Sequence, residues 1–164
     1  MTLNSQIHSL NSDNKSSHNT RCLALGVFDL FHIGHLNYLK FAKAQGSELF
    51  VAVASDDLCF ENKNTFPIIN QHERMAIISA LAIVDHVALV PSPIVKTQST
   101  CKWIQAWGVN KVVVGGQWQN SERWNEAADA LQAYDIDVMF APQTPNISSS
   151  GIKKKIITSY SDSL

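Results

Sequence analysis

The sequence predicts an α/β domain, a doubly wound sheet of about five parallel strands with helices on both faces. Three observations predict it. Short apolar runs such as CLALGVF and LFVAVAS are nearly continuous, as expected of strands buried on both faces. Stretches with helical spacing separate these runs, which implies parallel strands joined by helical crossovers. Glycines and short polar capping residues fall at the junctions.

The elements follow in order from Arg21. CLALGVF reads as the first strand. DLFHIGH then turns into HLNYLKFAKAQG, where Leu36, Leu39, Phe41 and Ala42 fall roughly at helical spacing and Gly46 reads as a stop. LFVAVAS is the second strand. DDLCFENKNT is polar, lacks periodicity and reads as a loop. Asn70 to Ala82 reads as a helix, with Asn70 as N-cap and Glu73 three residues on. DHVALV is the third strand, and Thr97 to Trp107 a helix that stops at Gly108. KVVVGG is the fourth strand, Ser121 to Tyr134 an alanine-rich helix, and DIDVMFAP the fifth strand. Ile147 to Ile157, opening with three serines, is the last helix. This is a Rossmann-like order with no internal repeat. Connections are expected to be right-handed, with the ligand crevice beyond the carboxyl ends of the strands where strand order reverses. Functional residues are therefore expected in FDLFHIGH, the Lys63 loop, GGQW and PNISSS.

A chain of 164 residues has room for one domain. Residues 21–160 read as that domain, and the Ser/Asn-rich residues 1–20 as a disordered tail. Apolar residues make up 45% of the chain and charged residues only 16%, enough for a full core. A net charge of −1 provides no global basic field, so no nucleic-acid partner is expected and phosphates would need a local cluster. No run approaches the ~20 apolar residues of a membrane span. The N-terminus lacks a signal peptide's apolar middle, and the expected location is cytoplasmic. Cys22, Cys59 and Cys101 are scattered without CxxC spacing, which suits reduced thiols better than disulfides or zinc.

The HIGH tetrapeptide carries the chemistry. Gly34 permits close backbone approach at a helix start. That start offers free N–H groups and the positive end of the helix dipole, a natural phosphate site. His32 and His35, three residues apart, face the same side of a helical turn. As imidazolium donors they would stabilise charge developing on a transferring phosphoryl group. A chance surface pair is the bland alternative, and a zinc reading lacks a third ligand nearby.

GVFDLFHIGH resembles the GxFDxxHxGH signature of the cytidylyltransferase-like nucleotidylyltransferase superfamily, most closely bacterial glycerol-3-phosphate cytidylyltransferases. PIINQHERMAII, IVDHV, GGQWQNSERWN and ISSSGIKKKI resemble its further segments in order. The resemblance implies transfer of CMP from CTP to a small phosphorylated alcohol such as glycerol 3-phosphate, with release of pyrophosphate. It implies catalytic roles for His32, His35, Lys63 and Arg74. It implies nucleotide binding by Gly26, Val27, Phe28, Asp29, Gly34, Gly115, Ile147, Ser148 and Ser149, and acceptor binding by Trp118. Mg²⁺ is expected through the nucleotide phosphates, without direct protein ligands. A homodimer is also implied.

The chain departs from the family pattern at Val27, Ala82, Gly116, Gln117 and Gln143. Two other functions therefore stand beside the first. One is an ATP-dependent adenylyltransferase acting on a heptose-type sugar phosphate or FMN. The other is a nucleotide-binding module impaired in catalysis. Read without the resemblance, Lys63 is a solvated lysine and Arg74 a surface residue paired with Glu73 or Asp85. Asp29 either braces its loop or contacts metal. Trp118 and Trp124 wall an acceptor pocket or pack the adjacent helix. Lys153 to Lys155 is a solvated run near a helix end.

Overall fold

The computed structural model describes residues 20–91 and 97–161. Residues 1–19 of the expected tail lie outside the described residues. Thr20 already belongs to the fold, its carbonyl accepting from the amides of Ser47 at 2.9 Å and Glu48 at 3.3 Å.

Among the described residues, five strands form one sheet: β1 (Arg21–Gly26), β2 (Glu48–Val53), β3 (His86–Leu89), β4 (Lys111–Gly115) and β5 (Asp137–Ala141). Their order is β3-β2-β1-β4-β5, with every neighbouring pair parallel. The chain winds outward from β1 to β3, then returns to the middle and winds the other way through β4 and β5. Order therefore reverses between β1 and β4, where a doubly wound sheet opens its crevice.

Among the described residues, six α-helices surround the sheet: α1 (Ile33–Lys43), α2 (Asp56–Lys63), α3 (Gln71–Ser79), α4 (Thr97–Ala106), α5 (Glu122–Gln132) and α6 (Ser149–Ser161). The alternation of strand side chains divides the core in two. Cys22, Ala24, Leu49, Val51, Val53 and Val113 pack with Leu39 and Ala42 of α1 and Ile78 of α3. Leu23, Ala52, Val112 and Val114 point the other way and pack with Cys101 and Ile104 of α4 and Trp124, Ala127 and Leu131 of α5. Both faces are covered, so the strands read as nearly continuous apolar runs.

Three local expectations are corrected. DDLCFENK is helix α2, not a loop. Only Cys59 of that helix is buried, so no apolar stripe betrays it. Its ends define it instead. The Ser55 side chain accepts from the Leu58 amide, Asp56 and Asp57 occupy the first turn, and Asn64 ends it with φ 52°. Helix α3 stops at Ser79, short of Ala82, although the Asn70 cap forms as expected and accepts from the amides of His72 and Glu73. Gly46 is not the stop of α1, which ends at Ala44 in a right-handed conformation. Gly46 is there for proximity, since a Cβ would lie 2.3 Å from the Thr20 carbonyl oxygen.

Candidate functional site

The candidate site is built where β1 hands over to α1. Phe28 and Leu30 both have positive φ, 57° and 49°. Bulky side chains crowd the backbone there, and such conformations persist only when their surroundings over-determine them. The surroundings are visible. Arg74 of α3, 1% exposed, donates from Nη1 to the Val27 carbonyl, from Nε to the Ile69 carbonyl at 2.8 Å, and from Nη2 to Asp56 at 2.6 Å. The Asp29 carboxylate accepts from the amides of Ile68 at 3.1 Å and Ile69 at 3.0 Å and pairs with Lys153 at 2.8 Å. The Asp29 carbonyl accepts from the Ser149 hydroxyl at 2.7 Å. Three distant parts of the chain thus clamp one short loop.

Burial raises the Asp29 pKa, but Lys153 and the two amides outweigh it and hold the carboxyl below its usual range. Both carboxylate oxygens are taken, so Asp29 braces the loop. Among the described residues no group of three His, Cys, Asp or Glu side chains is placed to hold a metal ion.

On this loop sit the two histidines. His32 is the N-cap of α1, its Nδ1 accepting from the Gly34 amide at 3.1 Å. In the neutral ring the proton therefore resides on Nε2, which is left as a donor. The His35 ring stacks on that of His32, with centroids 3.9 Å apart. Phe28 meets it edge-on at 5.4 Å and Phe31 stacks at 5.6 Å. Burial first, then His32, lowers the His35 pKa to about 4, against an opposing pull from Asp29. Burial also lowers that of His32. Without a phosphate beside it, His35 is therefore neutral at pH 7. Its Nδ1 is buried and has no hydrogen-bond partner.

The amino end of α6 arrives at the same place. A Cβ on Gly34 would lie 2.9 Å from the His32 ring and 3.2 Å from Cγ2 of Ile147, so the glycine leaves room for both the His32 cap and the turn before α6 at the start of α1. The Ser148 hydroxyl accepts from the Gly151 amide at 3.0 Å and caps α6. Two helix N-termini therefore converge beside the histidines, and each presents the positive end of its dipole. Such a pair is a local positive feature of the kind a chain of net charge −1 would need in order to hold phosphates. A cleft of about 750 Å³ runs along the β5–α6 turn, lined by Gln143, Thr144, Asn146, Ser148 and Lys155 among others. It reaches the start of α1 through Ile147 without including the histidine rings.

The remaining expected residues divide. Gly26 lies against the Phe28 ring, 2.8 Å from where its Cβ would be. Phe28 is buried beneath the site. Arg74 reaches the loop from α3 with each of its three guanidinium nitrogens hydrogen-bonded, and it pairs with Asp56 instead of Glu73 or Asp85. Lys63 is the exposed last residue of α2, not a loop residue, and its charge is felt at Cys59. Trp118 is 40% exposed in the short 3₁₀ turn Gly116–Trp118, whereas Trp124 is core. At the end of β4 the glycine that the fold requires is Gly116. A Cβ there would lie 2.3 Å from the Ala141 carbonyl, while one on Gly115 meets only the flexible Gln117 side chain. Lys153, expected to be solvated, pairs with Asp29 while staying partly exposed. Its signal was the i, i+4 spacing from Ser149, which sets both side chains on one helix face.

Comparison with known proteins agrees with this fold. The cytidylyltransferase-like family model matches residues 23–155. The FAD synthase of Thermoplasma volcanium is 45% identical over 69 residues, 42% of this chain and 48% of that protein. The FAD synthase of Methanohalophilus mahii is 46% identical over 70 residues, 43% and 48% of the two chains. The chain spans about half the length of the curated relatives it matches. Among solved structures, the lipopolysaccharide core biosynthesis protein from Thermoplasma volcanium superposes with a TM-score of 0.63 at 28% identity, covering 76% of this chain and 98% of that one. Pantoate-β-alanine ligase from Francisella tularensis, complexed with β-γ ATP and β-alanine, has a TM-score of 0.54 at 13% identity, covers 85% of this chain and 70% of that one, and shows the fold alone. Among the described residues no helix is long and apolar enough to cross a membrane. Since the family match runs from inside β1 to inside α6 and so takes in the signature loop, the crevice and both converging helices, the chain belongs to the cytidylyltransferase-like family.

Proposed function

We propose that this chain is a nucleotidyltransferase that joins AMP from ATP to the phosphate of an FMN-like acceptor and releases pyrophosphate. The carrying observation is the convergence of the α1 and α6 N-termini at Gly34 and Ile147, beside His32 and His35. The FAD synthases among its relatives favour ATP and a flavin phosphate. In this reading an acceptor phosphate oxygen attacks the α-phosphorus and the bond to the bridging oxygen of the β-phosphate breaks. No covalent bond to the protein is needed. The work is positioning and charge stabilisation.

Each residue group has a part in that reaction. The helix N-termini hold the phosphates, and Nε2–H of His32 donates to them. His35 starts neutral, and the incoming phosphates favour its protonation, so charge is added where the transferring group needs it. Lys155, on the cleft wall, supplies a further cation. Mg²⁺ would arrive on the phosphates. No step is assigned to it.

CTP with a phosphorylated alcohol is the competing reading, favoured by the family's description. The test is pyrophosphate release with ATP and FMN, and separately with CTP and glycerol 3-phosphate. Release is expected with ATP and FMN and lost in His35→Ala. Release with CTP alone would move the assignment to the competing reading. Nucleotide binding without release from any pair would mark a module impaired in catalysis, in keeping with the departures at Val27, Ala82 and Gln143.

A further inference from the structure

The crevice has a wedge. β1 pairs with β2 over its whole length, from Arg21↔Glu48 to Gly26↔Val53. β4 likewise pairs with β5 from Lys111↔Asp137 to Gly115↔Ala141. Between β1 and β4 the ladder runs only from Cys22↔Lys111 to Ala24↔Val113. The two strands part at Leu25, before either ends, and they part where strand order reverses.

The Tyr38 hydroxyl fills the fork. It accepts from the Leu25 amide at 3.0 Å and donates to the Val113 carbonyl at 2.7 Å, with the Leu25 carbonyl at 3.2 Å. A direct ladder bond would bring an amide nitrogen and a carbonyl oxygen to about 2.9 Å. Inserting an oxygen between them satisfies both groups while keeping the strands apart. Burial pushes the Tyr38 pKa far up, so the phenol keeps its proton and its donor. The same side chain also sets the histidines. It lies one turn after His35 on α1, and its ring stacks on Phe28 at 6.2 Å, the ring that meets His35 edge-on. A phenylalanine would fill the same space but leave both backbone groups to find each other.

We propose that Tyr38 is a positioning residue, whose hydroxyl holds β1 and β4 apart at the switch point and so sets the width of the nucleotide crevice and the seat of His35. This rests on the nucleotidyltransferase reading above. It goes beyond that reading because the Tyr38 hydroxyl is engaged by the backbone of β1 and β4.

The test compares Tyr38→Phe with Ile104→Val, a change in the core on the opposite face of the sheet that serves as a control for lost stability. Tyr38→Phe is expected to raise the Kd for ATP at least tenfold and to lower kcat for pyrophosphate release. Ile104→Val is expected to leave both within threefold. In the same samples, amide hydrogen exchange at Leu25 should speed up at least tenfold in Tyr38→Phe only. Equal Kd, kcat and exchange in the two variants would overturn the proposal. Should Tyr38→Phe fail to fold, exchange in the unmodified protein decides. Leu25 is expected to be protected like the ladder amide of Ala24, and exchange at loop rates would overturn the proposal. If the unmodified chain binds neither ATP nor CTP, the proposed function fails, while exchange at Leu25 still reads the wedge separately.

Discussion

The low basicity of His35 makes the fold acid-sensitive in a defined window. Burial of its ring between Phe28 and Phe31, with His32 stacked on it, lowers its pKa from 6.5 to about 4. Between those values the unfolded chain binds a proton that folded His35 refuses. Stability present above pH 6.5 is therefore lost progressively as pH falls toward 4. Integrated from pH 7 to pH 5, this one side chain costs the fold about 2 kcal/mol. His32, also lowered by burial, adds in the same direction. Asp29 is held below the usual carboxylate range and titrates beneath this window. His35→Gln removes the titrating group. Urea unfolding at pH 7 and pH 5 is the assay, and the unmodified protein should lose about 2 kcal/mol more than the variant between the two. Losses equal to within about 0.5 kcal/mol would refute the neutral, buried His35 and the chemistry built on it.

Other substitutions test the clamp around the loop. Arg74→Met strands Asp56 and the carbonyls of Val27 and Ile69, and should cost about 3–5 kcal/mol in urea unfolding; a loss under about 1 kcal/mol would make Arg74 dispensable to the fold. Asp29→Asn must turn an NH₂ toward one of the amides of Ile68 and Ile69 and loses the charge facing Lys153. About 2 kcal/mol of stability is expected to go with it, measured at pH 7. Gly116→Ala and Gly115→Ala form a matched pair. The first drives a methyl into the Ala141 carbonyl and should cost about 1–3 kcal/mol or more, while the second moves only Gln117 and should cost under about 1 kcal/mol. Equal melting temperatures for the two would contradict the close approach at Gly116.

Much of this was legible in the sequence because the signals were local. Strands covered on both faces show as apolar runs, and the HIGH turn carries its own helix start. Helix α2 was missed because its evidence lies in its caps, while its interior buries only Cys59. The node at Asp29 was not legible either, since its partners Ser149 and Lys153 lie far along the chain. Nothing local marks Phe28 and Leu30 for positive φ, because tertiary clamping overrides their preference. Arg74 looked like a surface residue because an amphipathic helix normally exposes its charges, and only the fold supplies the acceptors that let it be buried.

One mixed reaction tests the central claim most directly. The chain is incubated with ATP, CTP, FMN and glycerol 3-phosphate together, and the products are weighed by mass spectrometry. The account predicts flavin adenine dinucleotide as the product. A CDP-linked glycerol instead, or no condensed product at all, would contradict it.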